Sequence, residues 1–509
     1  MVQNISADNK RIARNTLTLY IRMLLLMVLS LYTSRVVLQT LGIEDFGIYN
    51  IVGSVVVLFG FLNNTLNIAT RRFINIGIGS GDNEKLKETY TALFTVYIII
   101  AVIIFLLAET FGYWLLNSKL NIPEERMFAA HCVYQLSILT AIISILGCPF
   151  ESCIIAYERM NIFAYLSIFE GIMKLIIVGL LLLIPFDNLI VYAVLLAVLS
   201  FFLVVIKIGY CLRTFEIVSL KIKYSKELAP SILKFSGWSL LGQIAYIATT
   251  TSVNIIINLF FGPLMNAAVS IAQQVNIAIY NFVSNFQTAF NPQIVQTYAS
   301  QDMDRHRYLV AMSSKISFFL IFVISVPFLL NIDFILDLWL VDVPKNAASI
   351  TQLIILFSLL EAVAAPLYMS MQAIGKIKSY QITVSAINMS FLPVVYLLLV
   401  LGQSVETIFI CKIAIAIVLW IYRIYYILPK IDFSTKSYLQ GIVLKTVIIP
   451  MLMFLLLYYA VYNVYETWQM FIFSALISSI AILLLFFFFV LSDSERKQLV
   501  FIIKEKKHR

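Results

Sequence analysis

The side chains of this chain that could do chemistry are charges and amides set inside apolar runs. Arg22 and Arg35 lie between Thr16 and Leu38, a stretch without Gly or Pro that is long enough to cross a hydrocarbon layer of about 30 Å. A cation at that depth is costly, so it faces water, a partner or a polar ligand, or snorkels to an interface. Arg22 is six residues inside the inner end of the run, about 9 Å by helical rise, and Arg35 is close to the outer end. Snorkelling and anion binding are therefore both open to them. Thirteen residues separate the two, which puts them on different helix faces, so they need not hold the same group.

Glu170 and Lys174 stand four residues apart near the middle of another run, with Glu first, the favourable order for an intrahelical pair. The pair either locks its helix or lets Lys174 exchange Glu170 for an incoming anion. Arg71 and Arg72, at the inner end of a further run, fit either topology determinants or a first contact with an anionic headgroup. Later in the chain amides replace cations. Gln274, Asn281 and Asn285 share one helical stripe, and Gln243 adds another amide in the preceding run. Such residues also glue helices together, but one run carries seven amides between Gln273 and Asn291, which points to a polar wall. Glu361 and Lys412 are further deep charges. They read as a mutually neutralising pair or, for Glu361, as an ion-coupling carboxylate.

The elements that must position these groups are membrane helices. At 61% hydrophobic and 12% charged over 509 residues, the chain has too little polar surface for a soluble fold. Apolar runs fall near 16–38, 48–69, 89–115, 128–148, 162–184, 188–211, 235–259, 268–298, 308–330, 350–373, 380–401, 405–428, 440–462 and 468–491. The expectation is an all-α polytopic membrane protein with 14 transmembrane helices. Of the 36 Lys and Arg, 25 fall in the two tails and the even-numbered loops, three in the opposite loops and eight within runs. By the positive-inside rule both termini are cytoplasmic. The same distribution turns the net charge of +9 into an orientation signal and argues against a nucleic-acid partner.

Several chemistries are excluded or weak. The five cysteines have no metal or disulfide spacing and read as apolar helix residues, and the three histidines form no ligand pattern. Gly77-x-Gly79-x-Gly81 follows no strand, so it reads as a turn between the second and third spans and not as a phosphate cradle. Short loops leave no room for an extramembrane catalytic domain, so the chain reads as no enzyme, and no cofactor is implied.

An internal repeat organises the spans. Ser144–Leu182 aligns with Glu361–Leu399 without gaps at an offset of 217, placing Pro149 on Pro366 and Arg159 on Lys376. Phe46-Gly47 similarly pairs with Phe261-Gly262, and Ser80-x-Asp82 with Ser300-x-Asp302. The offset covers six spans, so the copies share one orientation. The expected domains are a six-helix lobe over 1–212, a cytoplasmic linker over 213–234, a second six-helix lobe over 235–428, and two additional helices with a basic tail over 429–509. The two lobes would be pseudo-symmetric bundles, with the last pair on the periphery.

The basic N-terminal flank, Arg35 with Leu41-Gly42-x-x-Asp45-Phe46-Gly47-x-Tyr49, and the Pro149-to-Arg159 connection with its repeat copy resemble Wzx-type polysaccharide flippases. These belong to the multidrug/oligosaccharidyl-lipid/polysaccharide exporter (MOP) superfamily. The resemblance implies transport of a polyprenyl-diphosphate-linked oligosaccharide from the cytoplasmic to the outer leaflet of a bacterial inner membrane by alternating access, for O-antigen, capsule or other surface polysaccharide. It also implies membrane lipid, a polysaccharide polymerase and glycosyltransferases as partners. On this reading Arg22, Arg35, Lys174 and Glu170 form a cationic cavity for the diphosphate, Gln243, Gln274, Asn281 and Asn285 a wall for sugar, and Arg71 and Arg72 the place where the headgroup first docks. Coupling to H+, Na+ or membrane potential stays open. The rival is a MATE-like cation-coupled exporter of the same fold, which would want an unpaired acid in a cavity. A membrane glycosyltransferase or polymerase would need large outer loops that the chain lacks.

Overall fold

The computed structural model describes residues 11–29, 33, 36–37, 40–41, 45, 48–49, 60–118, 123–181, 183–223, 225–340, 343–461, 468–493 and 495–497. Arg35 and the Phe46-Gly47 pair lie outside them. The described residues are almost entirely helical, with no strand among them. This follows from solvent: where water is excluded, a backbone must satisfy its own N–H and C=O groups, and a helix does so within one segment.

The long helices are α1 (Arg11–Leu29), α2 (Gly60–Ser80), α3 (Asn83–Leu107), α4 (Met127–Ala156), α5 (Met160–Leu181), α6 (Asn188–Thr214), α7 (Leu228–Phe261), α8 (Pro263–Ala299), α9 (Met303–Leu330), α10 (Ala347–Ile374), α11 (Lys378–Val400), α12 (Glu406–Ile427), α13 (Ile449–Val461) and α14 (Trp468–Leu485). Among the described residues, 11 segments are long and apolar enough to cross a membrane. α2, α7 and α8 are helical without being among those 11, so the chain is a multi-pass membrane protein whose span count is not fixed at 14. α2 and α8 carry arginines or amides along their length, which lowers their apolar character.

The chain divides into two compact units, Met1–Gln243 with Tyr298–Gln301, and Ile244–Thr297 with Asp302–Arg509. In unit 1, α4 packs along α6 and against α2, α3 and α5. α4 and α6 meet closely at Gly147, where an added Cβ would come within 2.8 Å of Val204. Tyr90, Leu93, Phe150, Cys153 and Cys211 are buried together in one core cluster. Between α2 and α4, Ser152 Oγ donates to Asn67 Oδ1 at 2.9 Å, a small polar contact of the kind that holds helices together without a hydrophobic drive.

The matched positions of the repeat have matched geometry. Pro149 and Pro366 both lie inside their helices. Glu158 and Gly375, one offset apart, both end a helix in the left-handed region, at φ 56° and 82°. The two Ser-x-Asp pairs are turns of one kind. Gly81 and Gln301 take positive φ, and Asp82 and Asp302 then cap the next helix by accepting from the backbone N–H of Lys85 and Arg305 at 3.0 and 3.1 Å. Of the three glycines read as a turn, only Gly81 lies in it, since α2 continues through Gly77 and Gly79 to Ser80.

In unit 2, α9, α10, α12 and α14 pack together. α14 is fastened along α9 at three levels. Phe486 stacks on Phe319 at 4.1 Å between centroids, Asn331 Nδ2 donates to Ser474 Oγ at 2.9 Å, and Lys315 pairs with Glu495 at 2.9 Å with both side chains buried. The far side of this segment is exposed at Phe488 and Phe489.

Candidate functional site

Unit 1 encloses a cavity of about 880 Å³ walled by α1, α2, α4, α5 and α6. Arg22 reaches it from α1, Glu170 and Lys174 from α5, Glu151 from α4 and Lys207 from α6, with hydroxyls of Ser137, Thr140, Ser144, Ser167 and Ser200 between them. Two ion pairs occupy it. Lys174 Nζ lies 2.6 Å from Glu170 Oε1, and Lys207 Nζ lies 2.6 Å from Glu151 Oε2. Arg22 is held differently. Its guanidinium sits 4.3 Å from the centroid of the Phe163 ring, and its buried Nε has no hydrogen-bond partner among the described residues. Three cations against two carboxylates leave the wall positive, with the excess at Arg22.

The structure brings Arg22, Glu170 and Lys174 together on one cavity, and adds Glu151 and Lys207, which the sequence did not single out. Glu151 follows the apolar run of span four by three residues and reads as loop, whereas α4 continues to Ala156. Lys207 was one of the eight cations within spans, and nothing in sequence ties it to a residue 56 positions away. Arg71 and Arg72 are not at a helix end, because α2 runs eight residues further to Ser80. Arg71 interacts electrostatically with Glu151, and Arg72 stacks over Phe235 at 4.4 Å.

Unit 2 has its own cavity of about 330 Å³, lined from α7, α8, α10 and α12. Tyr246, Asn254, Gln273, Asn276, Tyr280, Ser358, Glu361 and Lys412 face it. The amide stripe expected to do so does not: Gln274 and Asn281 are exposed, Asn285 donates to the Asn281 carbonyl of its own helix at 2.8 Å, and none of the three lines either cavity. The stripe that does, Gln273, Asn276 and Tyr280, lies beside it on the same helix. Gln243 is half-buried in unit 1 and also lines neither cavity. Glu361 forms its salt bridge with Arg423, whose Nη1 lies 3.5 Å from Glu361 Oε1, while Lys412 interacts with Glu361 electrostatically and holds its ammonium 4.6 Å from the centroid of the Phe357 ring.

Among the described residues no group of three or more His, Cys, Asp or Glu could hold a metal ion. His306 is buried with its ring nitrogens on the Ile294 carbonyl at 2.9 Å and Ser370 Oγ at 2.8 Å, a structural placement.

The sequence matches the model of a family described as polysaccharide biosynthesis protein over residues 12–298. No curated protein matches it. The fold is similar to that of a MOP superfamily transporter from Pyrococcus furiosus, described as having a binding pocket of reverse polarity, at 14% identity and TM-score 0.68 over 84% of this chain and 96% of that one. It is also similar to the Vibrio cholerae MATE transporter VcmN, at 18% identity and TM-score 0.64 over 84% of this chain and 98% of that one. An outward-facing MATE family multidrug resistance transporter is similar at 15% identity and TM-score 0.68, over 84% of this chain and 96% of that one.

Proposed function

The chain belongs to the polysaccharide biosynthesis protein family, and from that premise we propose that it is a flippase moving a polyprenyl-diphosphate-linked oligosaccharide from the cytoplasmic to the outer leaflet of a bacterial inner membrane. The observation that carries this reading is Arg22. A guanidinium held against Phe163 at 4.3 Å, in a cavity of about 880 Å³, is a fixed donor fork for phosphate oxygens. The surrounding hydroxyls suit a polar headgroup, and the volume lies within the range of about 300–1,000 Å³ typical of ligand sites.

Lys174 and Lys207 can add to this charge by exchanging Glu170 and Glu151 for phosphate. The acyl chain would remain in lipid while the headgroup crosses in the wet cavity, and both chain termini would be cytoplasmic. A cation-coupled drug exporter would want an unpaired acid, and the carboxylates of this cavity are both paired. Polymerase and glycosyltransferases would meet the same glycan before and after it crosses.

The test is chemical analysis of the lipid-linked glycan in cells lacking the protein, complemented with wild type or Arg22→Gln. Accumulation of the glycan on the cytoplasmic side, reversed by wild type, is expected. Arg22→Gln at equal protein level should restore at most about a tenth of the surface glycan, the effect of one lost hydrogen bond to a charged group. Unchanged lipid-linked glycan after removal of the protein would overturn the reading.

A further inference from the structure

The cavity of unit 2 differs in size and chemistry from a diphosphate site, and we propose that it binds a single sugar ring bearing a carboxylate, with Lys412 holding that carboxylate. The proposal rests on the glycan-flippase reading and names a class of glycan for it. Size sets the first bound. About 330 Å³ is at the small end of ligand cavities and takes one ring, not an oligosaccharide.

The walls set the second. Tyr280 and Phe357 supply flat aromatic surface, and Gln273 and Asn276 supply amides, which both donate to and accept from ring hydroxyls. Asn276 Oδ1 accepts from Ser358 Oγ at 2.7 Å, which fixes that amide's orientation in the wall. Asn254, also in the wall, is exposed, so the cavity reaches the surface.

Charge sets the third. Glu361 is taken by Arg423 at 3.5 Å, and Arg423 also donates to the Tyr380 hydroxyl at 3.1 Å. Lys412 faces the same cavity, with its ammonium 4.6 Å from the Phe357 centroid. Glu361 interacts with both Arg423 and Lys412, so two cations share one carboxylate and leave one positive charge in excess, and of the two cations Lys412 is the one that lines this cavity. A carboxylate on the sugar would complete the balance through a charge-assisted hydrogen bond. A neutral sugar would leave the ammonium as it is, and an amino sugar or a metal cation would oppose it.

The experiment uses the full-length protein in detergent micelles, titrated with methyl glucuronide, methyl glucoside and inorganic phosphate, with binding read by ligand-detected NMR and folding by thermal unfolding. Saturable binding of the glucuronide is expected, weaker by about tenfold or more for the glucoside and for the glucuronide on Lys412→Gln. Lys412→Arg should recover most of it. The proposal is overturned if glucuronide and glucoside bind alike, if folded Lys412→Gln binds as wild type, or if wild type shows no saturable binding. Phosphate binding as tightly as the glucuronide would make this a plain anion site and remove the sugar from it. None of these readouts depends on translocation, so the flippase reading fails or stands separately, on the cellular accumulation of lipid-linked glycan.

Discussion

At the repeat offset of 217, Ser144 corresponds to Glu361, Gly171 to Asn388 and Lys174 to Phe391; the first of each pair lines the cavity of unit 1, and the second lines a small cavity of about 50 Å³ in unit 2 that shares Glu361 and Lys412 with the one of about 330 Å³. Helix geometry has kept the facing of these positions while their chemistry has changed places. At these positions unit 1 has a small polar group on α4 and a cation on α5, whereas unit 2 has an acid on α10 and an aromatic ring on α11. The helix ends near Arg126 and Glu406 repeat the lesson. In unit 1, Arg126 joins Asp45 and Asp187 through charged hydrogen bonds at 2.6 and 2.5 Å. In unit 2, Glu406 is held by the neutral Asn346 amide and the Ser349 hydroxyl. A duplicated framework therefore says where a side chain faces and little about what it does, so roles have to be assigned unit by unit.

The sharpest way to break this comparison is to remove the acid from each cavity. Glu361→Gln strands Arg423, whose side chain is only 9% exposed, and should destabilise unit 2 by about 3 kcal/mol. Glu151→Gln strands Lys207, with a side chain 18% exposed at the edge of a roomier cavity, and should cost about 1–2 kcal/mol. Thermal unfolding of the two variants in identical micelles measures both. Equal losses would mean that the two cavities are equally dry and that their difference in size has no energetic consequence.

A smaller effect sharpens the role of unit 1 in transport. The Lys174–Glu170 pair is 46% and 40% exposed, so it contributes little to stability and its ammonium is free to leave for a ligand. Lys174→Ala should lower surface glycan by about threefold at unchanged protein level, less than the loss of Arg22, because an exposed ammonium is a weaker anchor than a stacked guanidinium. Lys174→Arg should keep part of the activity. Unchanged glycan in both variants would remove Lys174 from the mechanism and leave Arg22 with Lys207.

Much of this was legible in the sequence because it follows from one-dimensional rules. Helical segments follow from apolar runs, the repeat from Pro149 on Pro366, and the pairing of Glu170 with Lys174 from their spacing. What escaped depends on neighbours in space. Lys207 and Glu151 meet across two helices, and Glu361 meets Arg423 where Lys412 was expected, since opposite charges in different spans carry no mark of which pair is adjacent. In α8 Gln273 and Gln274 are both present, and only packing decides that Gln273 lines the cavity of unit 2 while Gln274 is exposed. Arg71 and Arg72 were taken to a helix end because hydropathy falls before the backbone helix does.

The smallest expected effect concerns the Arg126 cluster of unit 1. Burial pushes the Asp187 carboxyl up, but the hydrogen bond from Arg126 and those from the backbone N–H groups of Ile190 and Leu189 outweigh it and hold the group below its usual range. A carboxylate with a depressed folded value binds its proton more readily when unfolded, so its contribution is fully present above the unfolded value of about 3.9 and is lost as pH falls through the lower folded value. Asp187→Asn should therefore lower the melting temperature slightly at neutral pH and flatten its decline between about pH 4 and pH 2. In unit 2, Ser349→Ala removes one of several hydrogen bonds to Glu406 and leaves its carboxylate in place, so it should change the slope of that decline by less. If both variants change the slope alike, the charged and the neutral fastening are energetically equivalent, and the contrast drawn between the two helix ends has no thermodynamic content.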